Sequence, residues 1–451
     1  MSDPDRPLRV VLASVGSRGD VQPMLALAQT LRARAHTVLI AAPPNFGNWV
    51  GALGFDFAPL SEDIQTFLAE NRDIMTSRPL KMLAVISRYF RQQIPLQASQ
   101  LAPICRGADV VVWGGLALCA PSVAEHLGLP VLGVLYSNCL LPSNQHPPPN
   151  IPWHGLPGWV NTLFWSINHL LGDLLLRRRL NAMRASLGLA PIAHIRDHLF
   201  DAGPLLVAAD PIVFAPDPRW RGRYPYANFI FFDDPAPLEP ELDAWLAAGE
   251  PPVYVGFGSM SGKGTDRIER ILVEALAASG RRCLVDAGWA GLGHGVLPPA
   301  WRTVRDVPHA RLFERVAVVV HHGGSGTTAQ ALRAGVPQVL LPLILDQFHH
   351  AHRLQLAGIA PPALPMEKVS AAALAQAIET AISLPAGARQ AAARRLRASD
   401  ARVQIAERVE AMCSSWPMAW VATLDARAPV PQPCQNRLPQ KDLNHANDDV
   451  Q

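Results

Sequence analysis

Two histidines lead into a glycine turn at His321-His322-Gly323-Gly324-Ser325-Gly326, and Thr327 and Thr328 follow it. Val318, Val319 and Val320 just before them form a short β-branched run, the pattern of a buried parallel strand. A helix is expected from near Thr327 through Ala329, Ala331 and Leu332 until Gly335 and Pro337 stop it. Strand, glycine turn and helix start make an anion site, because free backbone N–H groups and the positive end of the helix dipole face one space. The glycines let a phosphate approach the backbone, and Ser325, Thr327 and Thr328 add hydroxyl donors. No Gly-Lys-Ser/Thr follows the turn, so it is not the P-loop of the NTPases. A second strand, Val339-Leu340-Leu341, ends at Pro342, and Asp346-Gln347 comes a few residues later. At the carboxyl end of a parallel strand, that pair points into the crevice where α/β proteins bind ligands. A carboxylate beside an amide suits vicinal hydroxyls, since one accepts from two of them and the other both donates and accepts. A phosphate cradle and a hydroxyl reader one βα unit apart describe a site for a nucleotide sugar.

The run HHGGSGTT with Asp-Gln downstream resembles the donor signature of the family 1 glycosyltransferases. It is most similar to the branch that holds sterol glucosyltransferases and bacterial glycopeptide-antibiotic glycosyltransferases. The loop Gly16-Ser17-Arg18-Gly19-Asp20-Val21-Gln22-Pro23 matches that branch too, as does LNAMRASLGLAPI at residues 180–192, and the resemblance covers roughly residues 8 to 415. It implies an α/β chain of the GT-B architecture, two Rossmann-like domains facing across a cleft. It also implies inverting transfer of a hexose, glucose from UDP-glucose first, to a hydroxyl of a lipophilic acceptor such as a sterol, terpenoid, polyketide or glycolipid. Under the resemblance Asp20 is the general base on the acceptor hydroxyl. Ser259, Gly324, Ser325, Gly326 and Thr327 hold the donor phosphates, and His322 meets the charge of the leaving UDP. Val307 contacts the base through its backbone, Gln330 the ribose hydroxyls, and Asp346 and Gln347 the sugar. The chain departs from the family at several places. Plant members have a histidine where Asp20 stands, a stacking tryptophan at Asp306, a glutamine at His309 and a glutamate at Gln330. An asparagine is usual at His350. Stacking on the base is reduced accordingly, and uracil and thymine are both open.

These residues need two scaffolds. Leu8 to Ala13 reads as a strand, Pro23 to about Arg34 as a helix with proline in its first turn, and Val38 to Ala41 as a strand. This βαβ opening predicts a doubly wound parallel sheet. The first loop has only Gly16 and Gly19, and the second strand ends in Ala41-Ala42-Pro43 without an acid. A nicotinamide-dependent oxidoreductase is therefore disfavoured. By its local sequence Asp20 is a helix N-cap; the base role comes from the resemblance, and the two are compatible. Arg18 and Gly19 are candidate acceptor or phosphate contacts, with a solvated loop arginine as the other reading of Arg18.

Val110 to Trp113 and Val131 to Tyr136 continue the sheet, and Ser137 to Pro152 is a proline-heavy loop suited to an acceptor wall. His146 within it is a candidate contact or simply a solvated loop histidine. Val160, Leu163, Phe164, Ile167, Leu170, Leu171, Leu174 and Leu175 fall at helical spacing, flanked by Trp159 and Trp165 and closed by Arg177-Arg178-Arg179. The plainer reading is a core helix with a solvated basic end. The other is a lipophilic acceptor pocket or a membrane-surface helix. Pro251-Pro252 introduces Val253 to Val255, the first strand of a second unit, which ends at Gly256-Phe257-Gly258-Ser259. The resulting plan is an acceptor-binding domain over 1–232, a linker over 233–252 and a donor-binding domain over 253–405. A helix over 406–425 crosses back to the first domain, and 426–451 is a disordered tail.

Composition limits the alternatives. A chain of 451 residues is comfortable as two domains, and 17% charged residues argues against wholesale disorder. A net charge of +3 from scattered basic residues does not suggest nucleic-acid binding. Six cysteines without a C-x-x-C pair read as reduced thiols of a cytoplasmic protein. The amino terminus has no apolar signal core, and no apolar run of about eighteen residues appears, so any membrane contact is peripheral. His349, His350 and His352 are too crowded for an i, i+4 metal pair, and no Asp-x-Asp lies near the glycine turn, so neither a metal nor a cofactor is expected. Two other classes fit the same architecture. A silent nucleotide-binding partner protein is disfavoured by the presence of Asp20 and Asp346. A nucleotide-sugar epimerase is disfavoured by the proline-rich loop and aromatic helix over 137–180.

Overall fold

A computed structural model describes residues 6–63, 66–67, 70, 79–201, 203–234, 236–258, 265–277, 280–287, 298–305 and 307–415. Ser259, Asp306 and the 426–451 tail lie outside them. The first sheet contains β1 (Arg9–Val15), β2 (Thr37–Ala42), β3 (Asp56–Pro59), β4 (Val110–Gly115), β5 (Val131–Leu135) and β6 (Leu205–Val207). They are all parallel, in the order 3-2-1-4-5-6. The second contains β7 (Val253–Gly256), β8 (Cys283–Asp286), β9 (Trp301–Val304), β10 (Val318–His321) and β11 (Gln338–Leu340). It too is parallel, in the order 11-10-7-8-9.

The strands are covered on both faces, so they are written in unbroken apolar runs. Val10, Val11, Leu12 and Ala13 of β1 are all fully buried, although adjacent side chains point to opposite faces. The strand order reverses between β1 and β4 in the first sheet and between β7 and β10 in the second. A crevice opens at the carboxyl ends of the strands at such a switch point. The Gly16–Asp20 loop leaves one crevice and the His322–Gly326 turn the other.

Several elements depart from expectation. The first helix spans Arg18–Ala33, five residues longer at its start than expected, because Ser17 caps it and Asp20, its third residue, accepts from the Ser17 backbone N–H. Pro23 consequently sits inside the helix and not in its first turn. Pro240–Ala247, counted with the linker, is a helix whose Leu242 and Leu246 pack with Tyr254, Leu284 and Phe313 in the second domain. Arg177–Arg179 do not end the helix Gly158–Gly172. It passes through a π-turn, Asp173–Arg177, into Arg178–Ser186, because Gly172 keeps helical angles and no further glycine or proline occurs before Gly188. The final helix is Ala401–Ser415, starting where Asp400 accepts from the Arg402 backbone N–H. Its Ile405, Ala406 and Val409 share a core with Val21, Met24 and Leu25 of the first helix, and Glu410 binds Arg34 and His36. Residues 416–425, expected to extend it, lie outside the described residues.

Candidate active site

Asp20 lines a cavity of about 1310 Å³ whose walls come from both domains. Its carboxylate accepts from the Ser17 N–H at 2.8 Å and from Ser17 Oγ at 3.2 Å. Its own carbonyl accepts from Ser14 Oγ and from the Tyr136 hydroxyl, which ties the residue to β1 and to the end of β5. Two glycines clear space for the carboxylate. A Cβ on Gly16 would lie 2.2 Å from its Oδ2, and one on Gly115, at φ +59°, would lie 3.1 Å from its Oδ1 and only 2.3 Å from the Val15 carbonyl oxygen. Burial of the carboxyl raises its pKa to about 6 against the lowering effect of the Ser17 hydrogen bonds, and Asp346 raises it further. Asp20 is therefore the third residue of a capping box and not the N-cap that its local sequence suggests. Arg18 and Gly19 also line the cavity, and the Arg18 guanidinium lies 4.9 Å from the centre of the Trp49 ring.

On the opposite wall β10 ends at His321 and His322 follows it, their rings turned 82° apart. His321 turns into the sheet, with Nε2 on Gln338 Oε1 at 2.9 Å and Nδ1 accepting from the Gly323 N–H at 3.2 Å. His322 lines the cavity, and its Nδ1 is buried without a partner. Burial lowers its pKa to about 4, helped by nearby His350, so the ring is neutral at pH 7. A Cβ on Gly324 would lie 2.4 Å from His322 Nε2, so the ring can fold over the turn only because that position is glycine. Gly324 is the N-cap of the helix Ser325–Ala334, which has no side-chain cap. Its first N–H groups are left to a ligand or to water.

Ser325, Gly326, Thr327 and Gln330 line the cavity, and Gln330 Oε1 is buried without a partner. Ser325 Oγ donates to the Tyr136 carbonyl at 2.9 Å, so its hydroxyl hydrogen faces the first domain and its backbone N–H is the group left for an anion. Thr328 is fully buried and does not line the cavity, which removes it from the hydroxyl donors. Asp346 opens the helix Asp346–Leu356 after Leu345, which holds φ 51° and ψ −132°. Gln347 Oε1 accepts from the Leu343 and Ile344 N–H groups at 2.9 and 3.2 Å, so this oxygen shapes the turn before Asp346. His350 donates from Nδ1 to the Gly323 carbonyl and accepts at Nε2 from Ser137 Oγ, while His349 binds Asn138 Oδ1.

Val307 lines the cavity beside Pro308 and His309. The Tyr254 hydroxyl donates to Asp286 Oδ2 at 2.8 Å and accepts from His309 Nε2 at 2.9 Å, and His309 stacks on Phe313. Sequence reasoning missed this Tyr254–Asp286–His309 cluster, whose members lie on β7, β8 and the segment after β9. It also missed Gly115, which the Gly114-Gly115 pair after a β-branched run does signal. His146 is corrected: it is neither solvated nor part of the cavity wall. The proline-rich loop folds under the helix Gly158–Gly172 and buries it beside Trp165, Trp220 and His349, lowering its pKa to about 4. The loop instead reaches the cavity with Ser137, Leu140 and Pro149, and the rest of the first-domain wall is apolar, with Trp113, Leu116, Leu135, Trp165, Leu199 and Phe200.

Comparison with known proteins identifies the family and the fold. Residues 10–133 match the glycosyltransferase family 28 N-terminal domain, and residues 285–412 match the erythromycin biosynthesis protein CIII-like C-terminal domain. The chain is 35% identical over 362 residues to the vancomycin aglycone glucosyltransferase of Amycolatopsis orientalis, covering 78% of this chain and 85% of that protein. It is 32% identical over 362 residues to the dTDP-epi-vancosaminyltransferase of the same organism, covering 78% and 84%. Against the sterol 3-beta-glucosyltransferase UGT80B1 of Arabidopsis thaliana it is 31% identical over 398 residues, covering 82% of this chain and 62% of that one. The solved glycotransferase of kitacinnamycin superposes with a TM-score of 0.69 at 21% identity, over 90% of this chain and 98% of its own, which shows a shared fold. The chain belongs to the family 1 glycosyltransferases of GT-B fold, in the branch of the glycopeptide and sterol glycosyltransferases.

Proposed function

We propose that this protein transfers glucose from UDP-glucose, with inversion, to a hydroxyl of a lipophilic acceptor of the sterol, terpenoid, polyketide or glycolipid class. The observation that carries the reading is one cavity with a half-buried carboxylate, Asp20, its pKa raised to about 6, on one wall and an uncapped helix start under a neutral histidine on the other. The acceptor oxygen attacks C1 of the sugar as its proton passes to the Asp20 carboxylate. The bond from C1 to the phosphate oxygen breaks, and its electron pair leaves with UDP. A base with a pKa near the working pH suits this step. The N–H groups of Ser325, Gly326 and Thr327 and one N–H of His322 meet the negative charge on the diphosphate, a role that needs no cation. Ser259 joins them in this reading. Asp346 takes the sugar hydroxyls, Gln347 holds the turn that aims it, Gln330 takes the ribose, and the Val307 backbone takes the base.

The apolar first-domain wall supports a lipophilic acceptor. Glucose is supported by two relatives named as glucosyltransferases. A third relative is named for a dTDP sugar, so the nucleotide is the part that experiment must separate. The described cysteines are unpaired thiols, which supports the cytoplasm as the site of reaction. The test incubates the protein with UDP- and TDP-linked hexoses and a set of lipophilic alcohols and reads products by mass spectrometry. Glucosides from UDP-glucose are expected. Products from TDP-sugars alone would overturn the donor, and products from hydrophilic acceptors alone would overturn the acceptor class.

A further inference from the structure

The helix Gly158–Gly172 is built inside out. Asn161 and Trp165 are its buried side chains, and Asn168, His169 and Gly172 line the cavity. Its large apolar residues point the other way. Trp159, Leu163, Ile167, Leu170, Leu171 and, in the π-turn, Leu174 are exposed, with Trp159 at 71%, Leu170 at 65% and Leu174 at 78%. At about 100° per residue these six fall within an arc of about 120°. Trp153, itself 59% exposed, lies against Phe164 at 6.1 Å and widens the patch. Single exposed apolar residues are ordinary, but a contiguous band of this kind marks an interaction surface.

The chemistry of the band says what it meets. From Trp153 to Gly172 the sequence contains no Asp, Glu, Lys or Arg. Its two exposed hydroxyls are turned back onto the helix: Thr162 Oγ1 donates to the Gly158 carbonyl and Ser166 Oγ to the Thr162 carbonyl. The face therefore has few polar groups to match with a protein partner, whose interface carries about one hydrogen bond per 100–200 Å². Exposed Arg177 and Arg178 stand where the band ends, and tryptophans stand where it begins. Cations beside an uncharged apolar face, with tryptophan at its margin, fit the boundary of an anionic lipid layer. Among the described residues no helix is long and apolar enough to cross a membrane, so the contact would lie in the surface plane.

We propose that this face docks the protein on the surface of an anionic bilayer, with Trp153, Trp159, Leu163, Ile167, Leu170 and Leu174 among the acyl chains and Arg177 and Arg178 on lipid phosphates. The same helix lines the cavity with its other face, so a lipophilic acceptor dissolved in the bilayer has a short way in; that consequence rests on the proposed function, and the docking does not.

The test is co-sedimentation of the full chain with phosphatidylcholine vesicles, with and without phosphatidylglycerol, in the absence of both substrates. Failure here is therefore distinct from failure of the transfer reading. The parent is expected to bind vesicles that contain phosphatidylglycerol and to be released by salt. The triple variant Trp159→Ser, Leu170→Ser, Leu174→Ser is expected to bind at least about tenfold more weakly. Arg177→Glu with Arg178→Glu is expected to abolish the preference for the anionic lipid. None of these five side chains lines the cavity, so UDP binding by each variant reports that it has folded. A parent that stays in solution with both vesicles, or a triple variant that binds like the parent, overturns the proposal. A dimer without lipid that the triple variant dissolves assigns the face to a second copy and overturns it as well.

Discussion

Asp20 combines two demands that pull against each other. Ser17 hydrogen bonds favour its charged form, and enclosure and Asp346 favour the neutral one; enclosure prevails, and the pKa rises to about 6. An acid whose folded pKa lies above its unfolded value costs stability when ionised. The cost is absent below about pH 4 and complete above about pH 6. Asp20→Asn is therefore expected to raise the melting temperature at pH 7.5 and to leave it near the parent value at pH 4. The same variant should bind UDP normally and turn over about 10²–10⁴-fold more slowly, the usual contribution of a positioned base. Asparagine can still accept from the Ser17 N–H, so the helix start survives while proton transfer does not. Parent-like turnover in the folded variant would move the base elsewhere. On the other wall, His322→Ala is expected to weaken UDP binding and slow transfer without unfolding the chain. Because the ring is neutral, the loss should resemble that of one hydrogen bond, about 0.5–1.5 kcal/mol in binding. Unchanged UDP affinity and turnover would make His322 a space-filler over Gly324.

At the scale of elements, the helix Ser325–Ala334 is proposed to do what a divalent ion does in other transferases. Its uncapped start supplies roughly half a positive charge and several N–H donors. Transfer is accordingly expected to persist in excess chelator. Activity that vanishes there and returns with magnesium or manganese would sink this assignment. The turn before Asp346 makes a second case. Leu345 holds a left-handed φ of 51° at 51% exposure, a conformation that costs a leucine about 1–3 kcal/mol and that glycine adopts freely. Leu345→Gly should therefore keep or raise thermal stability. It should also loosen Asp346 and raise the KM for the sugar donor. A lower melting temperature with an unchanged KM would show that Leu345 is held by packing and not by strain. These elements differ in how openly the sequence carried them. The β10 run and its glycine turn were legible because β-branched residues, glycines and the helix stop are all local signals. The turn-holding role of Gln347 was not, because nothing local says that its amide oxygen would serve two backbone N–H groups. The outward face of Gly158–Gly172 was not legible either. Helical spacing reports which residues share a face and leaves open whether that face meets core or solvent.

Across the whole molecule, the domains meet through contacts that no local pattern could reveal, since the partners lie 189 to 213 residues apart. Ser325 reaches the Tyr136 carbonyl, His349 reaches Asn138 and His350 reaches Ser137. Behind this seam His146 packs on His349, and His154 stacks on His352. Burial lowers the pKa of His146, His154, His198 and His322 to about 4 and of His321 to about 3, and holds His349 well below its ordinary value. In the unfolded chain each titrates near about 6.5. As pH falls through that value the unfolded chain takes up protons that the folded one refuses until about pH 4, so stability drops across this window. Asp20 works in the opposite direction between about pH 6 and 4, but it is one group against six. The parent is thus expected to lose folding free energy steeply between pH 6.5 and 4.5, by up to about 1.4 kcal/mol per pH unit for each histidine. His146→Phe isolates one of them. It removes a buried Nε2 that has no partner and keeps an aromatic ring between Trp165 and Trp220. Denaturant titrations at several pH values should give a slope for this variant that is shallower by about one proton, with stability at pH 7 held or improved. If parent and variant lose stability in parallel, His146 takes up its proton in the folded protein as readily as in the unfolded chain; a parent that is flat below pH 6.5 extends that to the other buried histidines and overturns their reading as neutral packing groups.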